Sequence, residues 1–100
     1  MKDVNYIVIL GGGESGVGAA VLAVMKGYKV FVSDSGRIND LFKNDLIKYN
    51  VDFEENRHSE QKILNADLII KSPGIPDKAP LIQKLKDKGV PMIDELEFAC

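Results

Sequence analysis

The chain has 100 residues, a length that allows one small domain. Its 13 basic and 15 acidic side chains are interspersed and give a net charge of −2, which argues against nucleic acid or an anionic membrane as a partner. The one cysteine is the last residue, so neither an internal disulfide nor a cysteine metal cluster is expected. The first residues carry no secretory signal pattern and no apolar stretch is long enough to span a bilayer, so we expect a cytoplasmic domain.

An apolar run that breaks directly into glycines is the first predicted element. Ile7–Leu10 is typical of a buried strand, and Gly11, Gly13 and Gly16 follow at the spacing G-x-G-x-x-G. The first glycine of such a turn allows the tight bend, the second lets a phosphate approach the backbone, and the third lets the helix pack closely. The N–H groups at the helix start then face the anion. Alone the pattern is weak, because glycine-rich turns also serve as plain connections.

Strands and helices alternate after this turn. The first helix is predicted to end at Gly27, and a helix that begins at Pro80 is predicted to end at Gly89. The other predicted elements are strands at Lys29–Ser33, Val51–Glu54 (near a sheet edge), Ala66–Lys71 and Pro91–Ile93, a helix from Leu41 to Asn50, and a short helix at Glu60–Leu64. The first helix carries one face at helical spacing, made of Val17, Ala20, Val21, Val24 and Met25. The second helix is indicated by Leu41, Phe42, Asp45, Leu46 and Tyr49.

This alternation predicts an α/β fold, a Rossmann-like open parallel sheet of five strands with helices on both faces. The expected strand order is 3-2-1-4-5, in which the direction of winding reverses between strands 1 and 4. Ligands bind such sheets at the carboxyl ends of the strands on either side of the reversal. The loops predicted there are Gly11–Gly18 and Ser72–Pro76, the two segments richest in glycine and proline. Two separate parts of the sequence therefore predict one crevice.

Asp34 ends the second predicted strand, eighteen positions after Gly16. In dinucleotide-binding folds an acid at this place binds the ribose hydroxyls of adenosine, and it can equally accept a hydrogen bond from a base. The alternative is a turn aspartate whose side chain is bonded locally. Strand position and spacing favour contact with a nucleoside.

The Ser72-Pro73-Gly74 segment is either a plain turn or a second phosphate-binding loop. In the second interpretation the Ser72 hydroxyl and the N–H groups around Gly74 and Ile75 donate to the phosphate. Glu14 is unusual in a site for a diphosphate, so we expect its side chain to point to solvent and its backbone N–H to face the ligand.

The other polar residues have simpler interpretations. His58 has no imidazole or thiol near it in sequence and is interpreted as a surface or capping residue, with Ser59 or His58 near the cap of the short helix. Glu95 and Glu97 could form a carboxylate pair, but acids at a helix start are the simpler interpretation. The chain has no P-loop for ATP and no recognisable pairing of nucleophile and base. We therefore expect a binding module without catalytic residues.

The sequence resembles the N-terminal domain of the Mur ligases over essentially its whole length. The resemblance rests on four segments: Ile7–Ala20, Val32–Ser35, Lys71–Pro76 and Glu95–Glu97. The Ser-Pro-Gly-Ile segment at the predicted strand 4 discriminates most, since many dehydrogenases share the glycine turn.

The resemblance implies a cytoplasmic ligase of three domains that adds D-glutamate to UDP-N-acetylmuramoyl-L-alanine in peptidoglycan synthesis. The first domain would bind the UDP part, the central domain ATP and Mg²⁺, and the last domain D-glutamate. Asp34 and Ser35 would flank the uracil, although Gly36 stands where other members can carry an arginine and Arg37 follows it. The matching positions around the diphosphate are Gly13, Glu14, Ser15, Gly16, Ser72, Pro73 and Gly74.

The chain ends one turn into a predicted amphipathic helix, so we expect it to be part of a longer polypeptide. Residues 1–93 would form the UDP-binding domain, and residues 94–100 would begin a helix leading to the ATP-binding domain. We expect a monomer with no cofactor and no metal of its own. An NAD-binding domain of a dehydrogenase or regulatory protein is the alternative, since it would use the same glycine turn and Asp34.

Overall fold

Strands and helices alternate along the whole of the computed structural model, which describes residues 4–99. The elements are β1 (Tyr6–Leu10), α1 (Glu14–Met25), β2 (Lys29–Ser33), α2 (Asp40–Lys48), β3 (Asp52–Glu54), α3 (Glu60–Leu64), β4 (Leu68–Lys71), α4 (Pro80–Lys88), β5 (Met92–Asp94) and α5 (Glu95–Ala99). Each predicted element is present, with ends that differ from prediction by one or two residues in most cases.

The five strands form one parallel sheet in the order β3-β2-β1-β4-β5, as predicted. β1 lies at the centre, where Ile7 pairs with Val30 of β2 and with Leu68 of β4. β3 lies at one edge, as its short alternating sequence indicated. The winding reverses between β1 and β4, so the loops that follow these two strands meet at one end of the sheet.

Helices cover both faces of the sheet because alternate residues of each strand point to opposite sides. Ile7 and Ile9 of β1 pack with α1 and α2 on one face. Val8 and Leu10 pack on the other face with residues of α3 and α4, among them Leu85. All four of these β1 side chains are fully buried, as expected for a central strand.

Local signals set the helix ends. The Asn39 side chain accepts a hydrogen bond of 2.9 Å from the Leu41 N–H and caps the start of α2. Pro80 occupies the first turn of α4, and Gly89 ends that helix with φ of +81°. Among the described residues, no helix combines the length and apolar character needed to cross a bilayer.

The predicted face of the first helix is wrong at Met25. Met25 is 72% exposed, because α1 presents its small residues Gly16, Ala19, Ala20 and Ala23 to the sheet instead. On α2, Leu41 is also 72% exposed, while Leu46 is fully buried. Tyr49, which follows the last residue of α2, is 37% exposed. Apolar spacing predicted the helices correctly, but the close approach of α1 to the sheet determined which face is buried.

Candidate functional site

The glycine turn joins β1 to α1, and two of its glycines are required by the fold. Gly11 has φ of +113°, and a Cβ there would lie 2.9 Å from the Ser72 Cβ. A Cβ on Gly16 would lie only 2.0 Å from the Gly11 carbonyl oxygen. The structure thus confirms the predicted roles of the first and third glycines, the tight bend and the close helix packing.

Gly13 is different, because nothing in the described structure requires a glycine there. It precedes α1 with φ of −80°, which any residue can adopt, and a Cβ would meet no atom within 4 Å. Its carbonyl accepts the first hydrogen bond of the helix, 2.9 Å from the Val17 N–H. The N–H groups of Glu14, Ser15 and Gly16 precede that bond and have no carbonyl partner within the helix. Open space therefore lies over Gly13, beside an anion-attracting helix start.

Asp34 follows β2 and connects two loops at the crevice. One carboxylate oxygen accepts from the Gly12 N–H at 2.7 Å, and the other accepts from the Gly36 N–H at 2.8 Å. The first bond fixes the glycine turn, and the second is the local turn bond of the alternative interpretation. A carboxylate has about four acceptor positions, so Asp34 retains capacity for a ligand donor.

Behind Asp34, sequence reasoning missed a polar cluster of Ser33, Glu54, His58 and Ser59. The Ser33 hydroxyl, which is fully buried, lies 2.7 Å from a Glu54 carboxylate oxygen and 2.6 Å from His58 Nδ1. Because an ionised carboxylate only accepts, the hydroxyl donates to Glu54 and Nδ1–H of His58 donates to the hydroxyl. His58 therefore packs against β2, and its ring bonds Ser33 and not the helix, whereas Ser59, the other residue predicted near the cap, does occupy the N-cap position of α3. Complete burial keeps the Ser33 oxygen from reaching a substrate.

Glu54 holds this cluster together. The Ser59 N–H and hydroxyl donate to its two oxygens at 2.7 and 2.6 Å. Burial raises the pKa of Glu54, but the hydrogen bonds from Ser59 and Ser33 outweigh it, so the pKa lies below its ordinary value. The carboxylate thus stays ionised at neutral pH and ties the end of β2 to β3 and α3. Ser59 is the residue that precedes α3, but its side chain bonds Glu54 and not the helix.

The loop after β4 lies opposite the glycine turn and is fixed from within. The Ser72 hydroxyl oxygen accepts from the Gly74 N–H at 3.3 Å, and the Ser72 carbonyl accepts from the Ile75 N–H at 3.1 Å. The Ile75 N–H expected to donate to a phosphate is therefore already used, while the hydroxyl hydrogen of Ser72 is available. Lys71 adds a hydrogen bond of 2.7 Å from Nζ to the Ile75 carbonyl.

Glu95 is the first residue of α5 and turns its side chain toward the glycine turn. Only 7% of Glu95 is exposed, and Oε1 lies 3.2 Å from the position of a Cβ on Gly16. Burial and the nearby Asp94 raise its pKa above the ordinary value. Glu97 is exposed, and its N–H bonds an Asp94 oxygen at 2.9 Å. Glu95 and Glu97 therefore have different surroundings, and the notion of a carboxylate pair is not supported.

The remaining predicted site residues are exposed. Glu14, the first residue of α1, is exposed, as expected. Arg37 is exposed and pairs with Asp40 at 3.1 Å. An open groove of about 730 Å³ runs along the β4–β5 side, and Pro73, Met92 and Glu97 are part of its lining. The other exposed positions are Ser15, Ser35, Pro73 and Gly74.

The start of α1 offers N–H donors of the kind that suit an anion, and Asp34 offers acceptor positions near it. Donors available to an anion are the N–H groups at the helix start and the hydroxyl of Ser72, whose side chain lies against Gly11 of the turn. Within residues 4–99, no group of three or more His, Cys, Asp or Glu side chains could hold a metal ion. These features define the class: a Rossmann-like domain whose glycine turn and Ser72 loop meet at its topological switch point.

Comparison with known proteins identifies the family within this class. The family model described as the N-terminal domain of MurD-like Mur ligases matches residues 5–94, and the chain belongs to this family. The resemblance to the Mur ligases is thereby confirmed.

Two curated relatives carry the name UDP-N-acetylmuramoylalanine–D-glutamate ligase. The protein from Christiangramia forsetii is 56% identical and that from Bacteroides thetaiotaomicron 59% identical, each over 93% of this chain. The chain spans 21% of the length of either relative. A murein peptide ligase from Psychrobacter arcticus shares the fold, with a TM-score of 0.84 at 24% identity over 94% of this chain and 20% of its own.

Proposed function

We propose that this chain binds the uridine diphosphate part of UDP-N-acetylmuramoyl-L-alanine, as the first domain of a ligase that adds D-glutamate to it. The proposal rests on membership of the MurD-like family and on the names of the two relatives. In it, the diphosphate lies over Gly13, between the N–H groups of Glu14, Ser15 and Gly16 and the Ser72-Pro73-Gly74 loop. The uracil lies near Asp34 and Ser35.

Gly13 carries this proposal. Gly11 and Gly16 are explained by the fold, whereas a Cβ on Gly13 would have open space around it. A ligand that approaches the backbone explains a glycine here, because a diphosphate held by N–H groups leaves no room for a side chain.

Parallel titrations with UDP, UDP-N-acetylmuramoyl-L-alanine and NAD test the proposal. We expect saturable NMR shifts at residues 13–16, Asp34 and residues 72–74 with both uridine ligands and none with NAD. Binding of NAD without either uridine ligand would favour the dehydrogenase-type alternative and refute the proposal.

Gly13→Ala gives a sharper test, with Gly18→Ala as the matched control. Neither new Cβ would meet an atom within 4 Å, so both variants are expected to fold. Gly13→Ala should weaken UDP binding about tenfold or more, equivalent to ~1.4 kcal/mol, because the methyl group occupies the diphosphate position. Gly18→Ala should leave the affinity unchanged. Equal affinities of the two variants would remove the main support for the site.

The proposal extends to the longer protein. Residues 1–93 form the UDP-binding domain, and residues 94–100 begin the connection to a central domain that binds ATP and Mg²⁺. D-glutamate binds to a third domain, and an acyl phosphate forms on the substrate carboxylate. The protein acts as a monomer in the cytoplasm, in peptidoglycan synthesis. The assay measures ADP release that depends on D-glutamate. We expect ligase activity from the longer protein and none from this chain by itself.

A further inference from the structure

We propose that Glu95 is a positioning residue of the anion site. Its side chain supports the glycine turn, and its carboxyl group takes up a proton from solvent when a diphosphate binds on the other side of the turn. The inference rests on the proposed function, since the diphosphate is the anion that it invokes.

The geometry places this carboxyl at the base of the site. Oε1 lies 3.2 Å from the Cβ position of Gly16 and 3.9 Å from that of Gly11, so Glu95 fills the space which these glycines leave open. In the part of the chain that the structure describes, its carboxyl group makes no hydrogen bond and no ion pair, and its oxygens keep a narrow contact with solvent, since no enclosed side-chain oxygen there is without a partner. Glu95 as a whole is 7% exposed. Burial without a counter-charge disfavours the ionised carboxylate.

Packing of α5 on α1 holds Glu95 in this position. Phe98 is partly buried against the core on the α1 side, and Lys26 Nζ lies 5.6 Å from the centre of its ring. Asp94 caps α5 by accepting from the Glu97 N–H. These contacts hold the helix that carries Glu95 beside the glycine turn.

The charged groups around Glu95 do not neutralise it. The elements packed against α5 are α1, β4 and β5. Their charged residues at this end of the sheet are Glu14, Lys71 and Asp94, and α5 adds Glu97. Lys71 is engaged with the Ile75 carbonyl, and burial, together with Asp94, raises the pKa of Glu95. Lys26 lies at the far end of α1, over the Phe98 ring.

Binding of a diphosphate adds negative charge to this acidic surrounding. The anion raises the pKa of Glu95 further, so the bound state holds more protons than the free state. Affinity must then fall as the pH rises through the range in which Glu95 of the free protein ionises, above its ordinary value of 4.5. An increase of about half to one pKa unit on binding corresponds to about a three- to tenfold change in affinity.

Calorimetric titration of this chain with UDP-N-acetylmuramoyl-L-alanine between pH 5 and 8 tests the proposal. Both phosphates of this ligand are esterified, so its diphosphate does not titrate in that range. Repeating each titration in buffers of different ionisation enthalpy measures the protons taken up. We expect net uptake of protons by the unmodified chain and little uptake by Glu95→Gln. The affinity of Glu95→Gln should vary about three- to tenfold less with pH than that of the unmodified chain. Glu97→Gln, on the same helix but exposed, should behave like the unmodified chain.

A ¹³C NMR titration of the Glu95 carboxyl in the unmodified chain gives a second measurement that needs no variant. Its pKa should be above 4.5 in the free protein and higher still in the complex. Binding with equal proton uptake in Glu95→Gln and the unmodified chain, or a pKa unchanged by the ligand, would overturn the role of Glu95 and leave the proposed function intact. No binding to the unmodified chain at any pH would overturn the proposed function, and this inference with it.

Discussion

At the scale of single residues, Gly16 and Gly18 lie two positions apart on α1 but have different surroundings. Gly16 is buried against the Gly11 carbonyl, whereas Gly18 is exposed and a Cβ placed on it would meet no atom within 4 Å. Gly16 is needed for close packing of helix and strand, whereas Gly18 only lowers the helix propensity of α1.

Alanine at these two glycines should have opposite effects on stability. Gly16→Ala is expected to cost about 1–3 kcal/mol or more, because the new methyl group forces the turn and helix apart. Gly18→Ala should stabilise the chain by about 0.5–1 kcal/mol through helix propensity. Urea unfolding followed by circular dichroism measures both. Equal destabilisation by the two variants would contradict the packing argument.

Asp34 gives a second prediction at this scale. Asp34→Ala removes the acceptor for the Gly12 and Gly36 N–H groups, so we expect a loss of about 1–3 kcal/mol in the free energy of unfolding. The exposed Asp45→Ala on α2 serves as control, with a change within about 0.5 kcal/mol. The same urea unfolding experiment compares them. A loss no larger than that of the control would show that Asp34 does not fix the glycine turn.

At the scale of elements, α2 is attached to the sheet mainly through Leu46, which is fully buried, while Leu41 on the same helix is 72% exposed. Leu46→Ala is expected to cost about 2–5 kcal/mol, since it leaves a cavity under the helix. Leu41→Ala should change the free energy of unfolding by less than about 0.5 kcal/mol. Thermal and urea unfolding distinguish the two variants, and similar losses would mean that α2 packs through another face.

The cluster around Glu54 joins β2, β3 and α3 and should be sensitive to acid. Its folded-state pKa is lowered, so its contribution to stability is present above its ordinary value of 4.5 and is lost as the pH falls through the folded-state pKa. Glu54→Gln should therefore lower stability at pH 7 and flatten its decline below pH 4.5. Glu60→Gln is the control, because the Glu60 side chain is half-exposed and pairs with Lys84 at the surface. The free energy of unfolding is measured from pH 3 to 7. If Glu54→Gln lost as much stability at low pH as the unmodified chain, the prediction would be refuted.

At the scale of the whole molecule, one sheet connects two apolar layers. Ile69 and Ile70 are neighbours on β4, both fully buried, and they face opposite layers. Valine at either position should cost about 0.5–1.5 kcal/mol and leave a single unfolding transition with an unchanged dependence on urea. Circular dichroism and tyrosine fluorescence should give the same midpoint for each variant. Separate transitions by the two probes would show that the layers unfold independently.

Local sequence determined the elements and their order. The apolar run before Gly11, the β-branched strand Lys29–Ser33, and the Pro80 and Gly89 signals lie within short segments, and each appears as predicted. Strand order followed as well, because parallel strands joined by right-handed crossovers leave few arrangements. The glycine turn and Ser72 loop were predicted to meet for the same reason.

Contacts between distant segments were decided only by the tertiary structure. Glu95 reaches Gly16, Asp34 reaches Gly12, and His58 reaches Ser33, in each case across more than twenty positions of sequence. No periodicity or motif encodes such contacts, because they depend on how closely each helix packs on the sheet. The same packing exposes Met25. It also leaves open space around Gly13, but not around Gly11 or Gly16, the other two glycines of the motif. Sequence by itself thus determined the architecture and the position of the crevice, and tertiary packing decided which side chains form its base and support it.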